Sequence, residues 1–96
     1  MATYISLVSF TDQGIRNVKD SPARFEAFRA MAEKAGASVK GVWYTVGTCD
    51  MVTIVEGPDD AVTPLLLKVG SLGNVRSQTM RAFSVDEMRS MLAKMA

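Results

Sequence analysis

The chain has 96 residues, of which 48% are hydrophobic, and its formal net charge at pH 7 is +1. This length and composition predict one globular domain over residues 1–96, and the near-neutral charge argues against nucleic acid as a partner. The lone cysteine, Cys49, excludes an intrachain disulfide, and no apolar run approaches the ~20 residues that cross a bilayer, so we expect a cytoplasmic protein without a membrane partner.

The first predicted strand is Thr3–Phe10, which is rich in β-branched and aromatic residues and ends at a polar turn. A helix follows, with Ser21 as its N-cap, Pro22 at its first position and Gly36 as the left-handed residue that ends it. Helical spacing directs an apolar set toward the core, namely Phe25, Phe28, Ala32 and Ala35. The same spacing directs a charged set toward water, namely Arg24, Glu26, Arg29 and Glu33.

Two more strands are predicted over Ala37–Val46 and Asp50–Glu56. The short connection Gly47-Thr48-Cys49 between them is typical of an antiparallel hairpin. A second helix is predicted to begin near Asp59 or Asp60. Its apolar face is formed by Val62, Leu65, Leu66, Val69 and Leu72.

A fourth strand is predicted over Asn74–Phe83, and Ser84-x-x-Glu87 is a capping box that opens a last helix. The elements therefore follow the order strand, helix, strand, strand, helix, strand, helix. Two strand-helix-strand units in succession predict an α+β fold, in which a four-stranded antiparallel sheet carries helices on one face.

Both faces of the predicted sheet are apolar. One face carries Ile5, Leu7, Val52 and Ile54, and the helices are expected to cover it. We expect the other face to be covered by the same face of a second copy, or alternatively by the last helix of the same chain. This second face carries Tyr4, Val8, Phe10, Met51, Val55 and Met80.

The chain resembles the GYD domain family of small bacterial proteins. The resemblance is carried by three segments, TYISLVSFTDQGIRNVKDSPAR, GTCDMVTIVEGPDD and GSLGNVRSQTMRAFS, and it extends over nearly the whole chain. It implies a ferredoxin-like βαββαβ fold that assembles as a dimeric α/β-barrel, and it implies no particular activity. The turn that names the family corresponds to Gly47 to Asp50, where Cys49 replaces the family's tyrosine.

The chain contains no histidine, which removes the usual general base and the commonest metal ligand. We therefore expect no metal, no cofactor and no Ser-His-Asp triad. The candidate ligand-binding residues are Tyr4, Arg16, Cys49 and Asp50. Asp50 is a candidate general base if burial raises its pKa, or else it accepts N–H groups and holds the hairpin. Arg16 either pairs with Asp50 or binds an anionic ligand.

Three classes of function fit these observations. The one we favour is a non-catalytic homo-oligomeric module that binds a small molecule or another protein. The alternative is a cofactor-independent enzyme of the dimeric α/β-barrel type, with Asp50 as general base and Arg16 as a second catalytic candidate. The third is a purely structural or regulatory assembly, which would show an exposed apolar patch without a pocket.

Overall fold

The computed structural model describes residues 1–95, which form one antiparallel sheet and four α-helices. The strands are β1 (Ala2–Phe10), β2 (Ser38–Tyr44), β3 (Met51–Gly57) and β4 (Val75–Ala82), and they lie in the order β2-β3-β1-β4. The helices are α1 (Asp12–Arg16), α2 (Ser21–Lys34), α3 (Asp59–Ser71) and α4 (Val85–Leu92). This layout confirms the predicted ferredoxin-like α+β fold with an additional C-terminal helix.

The helices α2 and α3 cover the face of the sheet that carries Tyr4, Ser6 and Val8. In register with these residues, Val55 and Met51 of β3 are 1% and 6% exposed. The prediction that this face would meet a second copy is therefore wrong, apart from Met80, which does lie on the uncovered face. Successive side chains of a strand point to opposite faces of the sheet, so each strand presents one set of apolar residues to each face. This alternation does not show which of the two sets the helices contact.

The face without helices is also largely apolar, and we call it the open face. Half-buried residues occupy its two central strands, and the more exposed Trp43 and Met80 lie on the outer strands β2 and β4. The apolar members of the open face are Ile5, Leu7, Trp43, Val52, Ile54 and Met80.

The core fills only one end of the space between the helices and the sheet. There Val55 packs with Ala32, Ala37, Val62 and Leu65. Gly57 permits this close approach, since a Cβ at position 57 would lie 2.9 Å from the Cβ of Ala37. The chain reaches Ala37 through Gly36, whose φ of +90° ends α2 in the predicted left-handed conformation.

The segment between β1 and α2 differs from the prediction. The sequence predicts a polar turn and loop here, but the segment contains the short helix α1, and Thr11 caps this helix by accepting a hydrogen bond from the N–H of Gly14 at 3.1 Å. A single 3₁₀ turn then leads directly into α2, so Asp20 occupies the N-cap position that the sequence predicts for Ser21. The Ser21 hydroxyl instead shares a hydrogen bond with the Tyr44 hydroxyl at 2.9 Å.

The last helix, α4, begins with the predicted capping box. Ser84 and Glu87 exchange hydrogen bonds, with the Ser84 N–H donating to Glu87 at 2.9 Å and the Glu87 N–H donating to Ser84 at 3.0 Å. Every residue of α4 is exposed, so this helix does not cover the open face of its own chain. No helix within residues 1–95 is long and apolar enough to span a bilayer.

Candidate ligand-binding site

A cavity of about 170 Å³ lies between α2, α3 and the covered face of the sheet. Its floor is formed by Ser6 and Val8 of β1 together with Met51 and Thr53 of β3. Its walls are mostly apolar side chains from the two helices, namely Phe25, Ala27, Phe28, Met31, Leu66 and Val69. We refer to this space as the helix–sheet cavity.

The helix–sheet cavity exists because small residues meet on its opposite sides. Ser6 and Thr53 lie directly opposite each other on the two central strands, at positions where larger apolar side chains would fill the space. Facing them, α3 contributes Gly70, and a Cβ at that position would meet no atom within 4 Å. The Ser6 hydroxyl is held by a hydrogen bond of 2.7 Å that it shares with the hydroxyl of Thr79.

The size of the helix–sheet cavity indicates what it can hold. An apolar cavity of about 150 Å³ stays dry and binds benzene. The cavity of this chain, of about 170 Å³, is partly open to solvent and is large enough for one small ring or a short hydrocarbon chain. The apolar lining offers such a molecule contacts that replace its contacts with water.

A set of hydrogen bonds joins the segment around the start of α1 to the two residues before β4, Gly73 and Asn74. The N–H of Thr11 donates to the Asn74 carbonyl at 3.1 Å, and the Thr11 hydroxyl donates to the Gly73 carbonyl at 2.6 Å. The side chain of Gln13 donates to the Asn74 side chain at 2.9 Å. Gly14 sits so close to Asn74 that a Cβ would overlap the Asn74 carbonyl oxygen. These contacts fix the position of Asn74, which lines the cavity.

Arg24, in α2, is the only charged residue among the described residues that line the helix–sheet cavity. Its guanidinium donates to the backbone carbonyls of Asn17 at 3.0 Å and Gly14 at 3.4 Å. The ion pairs formed within residues 1–95 are Arg29 with Glu26 and Arg89 with Asp86, so Arg24 has no carboxylate within 4 Å in this part of the chain. The sequence pattern places Arg24 in water, and the structure instead brings it to the cavity.

The predicted site residues Cys49 and Asp50 lie together in the hairpin between β2 and β3. The Asp50 carboxylate accepts a hydrogen bond from the N–H of Phe10 at 2.8 Å, and the Asp50 N–H donates to the Val8 carbonyl at 2.8 Å. The carbonyl of Cys49 accepts a hydrogen bond from the Thr45 hydroxyl at 2.7 Å. These contacts favour the interpretation of Asp50 as the residue that holds the hairpin against β1.

The other two predicted site residues lie elsewhere. Tyr4 packs against the core, and the guanidinium of Arg81 lies 5.7 Å from the centre of its ring. Arg16 is exposed at the end of α1 and forms no ion pair with Asp50 among the described residues. The structure therefore brings Cys49 and Asp50 together, while the helix–sheet cavity is lined by none of these four residues.

A second depression, of about 400 Å³, lies on the open face and includes Cys49. It is bordered by Leu7 and Ser9 of β1 and by Arg76 and Gln78 of β4. It belongs to the surface that remains uncovered in a single chain. No three His, Cys, Asp or Glu side chains within residues 1–95 are close enough to hold a metal ion.

The chain is similar to known proteins in its sequence and in its fold. The family model of the GYD domain matches residues 4–92. The crystal structure of FFRP-DM1 is similar with a TM-score of 0.62 and 20% identity, over 86% of this chain and 100% of that one. The crystal structure of TTHA0845 from Thermus thermophilus has a TM-score of 0.55 and 20% identity, over 88% and 96% of the two chains. These two structures share the fold, and no curated protein matches the sequence.

Proposed function

The chain belongs to the GYD domain family, and we propose that it is a non-catalytic, self-associating module that binds a small, mainly apolar molecule in the helix–sheet cavity. The observation that carries this proposal is the cavity itself, because mostly apolar side chains surround a space of about 170 Å³ that the chain does not fill. A ligand of matching size recovers the missing contacts and stabilises the folded chain.

The lining of the cavity supports binding rather than catalysis. Among the described residues that line it there is no Asp, Glu, Cys or His, so its serine and threonine hydroxyls have no general base beside them. Asp50, the candidate base, is instead bonded to the N–H of Phe10 at 2.8 Å. Hydroxyl groups in such surroundings orient a ligand and do not attack it.

Self-association is supported by the open face. Trp43 is 56% exposed and Met80 is 47% exposed, and they flank the apolar central strands of that face. A continuous apolar surface of this kind marks an interaction site. The same face of a second copy is the simplest cover, because a two-fold axis pairs identical surfaces and produces a homodimer.

The last helix supports the same arrangement. Val85, Met88 and Leu92 of α4 are all exposed, although apolar residues of a helix normally contact another element. Because α4 begins three residues after β4, the outer strand of the open face, it lies close to where a second copy would dock. Its methionine side chains suit an irregular contact with that copy.

The ligand-binding part is tested with toluene, a neutral apolar probe of suitable size, by isothermal titration calorimetry. The unmodified chain is expected to bind toluene. Gly70→Leu, which adds a bulky side chain at a residue that lines the cavity, is expected to narrow the cavity and to weaken binding. The control is Gly47→Leu, the same change at an equally open position in the hairpin turn, which is expected to bind normally. Equal binding by both variants would contradict the proposal.

A further inference from the structure

We propose that the molecule bound in the helix–sheet cavity is an apolar monocarboxylate, whose carboxylate is held by Arg24 and whose hydrocarbon body fills the cavity. This inference rests on the proposed ligand-binding function and names the chemical class of its ligand. It follows from the charge of Arg24, from the contacts that hold its guanidinium and from the volume of the cavity.

The charge of Arg24 is not neutralised within the described part of the chain. No acidic side chain lines the cavity beside it, and no carboxylate lies within 4 Å of it. Its two partners, the carbonyls of Asn17 and Gly14, are neutral. A guanidinium at the border of an apolar space attracts an anion more strongly than one in open water, because the surroundings screen its charge less.

The same two carbonyls hold the guanidinium in place. Asn17 lies just beyond α1 and Gly14 within it, so Arg24 is fixed by a segment that is itself bonded to the start of β4. Two donated bonds leave other N–H groups of the planar fork available. A guanidinium that is already held in place loses little conformational entropy when it binds a carboxylate through two parallel hydrogen bonds.

The cavity sets the size and the charge of the ligand. A volume of about 170 Å³ holds a single ring, so a ring that bears one carboxylate at the position of Arg24 fits it. One guanidinium matches one negative charge. A dianion such as a phosphate monoester would leave a second charge without a partner against apolar walls, and this is costly.

The test compares benzoate with benzamide, its neutral isostere, and with toluene, by isothermal titration calorimetry at pH 7. The unmodified chain is expected to bind benzoate at least about ten-fold more tightly than benzamide, because hydrogen bonds to a charged group are the stronger ones. In Arg24→Met this preference is expected to disappear while toluene still binds. The control is Lys34→Met, in the same helix, because Lys34 is exposed, forms no ion pair within residues 1–95 and does not line the cavity.

The outcomes separate this inference from the function on which it rests. If the unmodified chain binds toluene but prefers benzoate to benzamide by less than two-fold, the ligand class is wrong and the cavity proposal stands. If it binds neither toluene nor benzoate, both proposals fail. If Arg24→Met loses toluene together with benzoate, Arg24 only supports the structure and the inference is overturned. Arg24→Gln, which removes the charge but keeps an N–H donor for the Asn17 carbonyl, repeats the test if the methionine variant does not fold.

Discussion

The carboxylate of Asp50 accepts a hydrogen bond from the backbone N–H of Phe10 at 2.8 Å, and this contact joins the hairpin to the end of β1. The N–H of Asp50 donates in turn to the carbonyl of Val8, so the two segments are bonded twice at this point. Phe10 is the last residue of β1, and Asp50 lies one residue before the neighbouring strand β3. The Asp50 carboxylate therefore satisfies the last N–H group of β1.

Replacement of Asp50 therefore tests its structural role. Asp50→Ala is expected to lower the free energy of unfolding by about 1–2 kcal/mol, because the Phe10 N–H loses its acceptor in a partly buried position. Asp50→Asn keeps a carbonyl oxygen for this N–H and is expected to cost less than half as much. Urea denaturation monitored by circular dichroism measures both values. Equal losses in the two variants would show that the charge, and not the hydrogen bond, is what matters.

The close contact between Gly14 and Asn74 gives a second prediction. Gly14→Ala is expected to destabilise the chain by at least about 2 kcal/mol, because the new methyl group overlaps a backbone carbonyl that cannot move without breaking the bond from Thr11. Gly70→Ala is the control, since its methyl group meets no atom within 4 Å and removes a glycine from α3. It is expected to leave stability unchanged or to raise it by up to about 1 kcal/mol. Thermal unfolding of both variants measures the difference, and a neutral Gly14→Ala would contradict the packing described for α1.

The capping box of α4 gives a prediction about pH. The hydrogen bond from the backbone N–H of Ser84 lowers the pKa of Glu87 below its ordinary value. The stabilisation of α4 is therefore fully present above the pKa of about 4.3 that glutamate has in an unfolded chain, and it is lost as the pH falls through the lower folded value. NMR chemical shifts of the first turn of α4 are expected to move toward coil values over this range. Glu87→Gln, which carries no titrating group, is the control, and an identical loss of helix in that variant would refute the role of Glu87.

The order of the elements could be predicted because local signals mark each of them. β-Branched and aromatic residues identify β1, Gly36 marks the end of α2, and Ser84 with Glu87 marks the start of α4. The face that the helices cover could not be predicted, since both registers of β1 and β3 are apolar. As a result Met51, which the sequence places at the contact between copies, lies beneath the helices, where Met51→Lys would bury a charge and unfold the chain.

The helix–sheet cavity could not be predicted from the sequence, because an empty volume depends on residues that are far apart along the chain. Ser6, Thr53 and Gly70 are small residues in three different elements, and only the register of β1 with β3 and the position of α3 bring them together. A weak signal does exist, since Ser6 and Thr53 interrupt otherwise apolar faces of the two central strands. Arg24 lies on the charged side of α2 in the helical pattern, and it reaches the cavity only because Asn17 and Gly14 hold its guanidinium there.

The central claim, a self-associating module that uses its open face, is tested most directly by native mass spectrometry of three proteins. The unmodified chain is expected to be a dimer or a larger assembly. Met80→Lys, which places a charge on the open face at a residue that is 47% exposed, is expected to be a folded monomer. Leu67→Lys is the matched control, because it makes the same kind of change on α3 at a residue that is 70% exposed, and it is expected to assemble like the unmodified chain. An unmodified chain that is monomeric, or a Met80→Lys variant that still assembles, would contradict the claim.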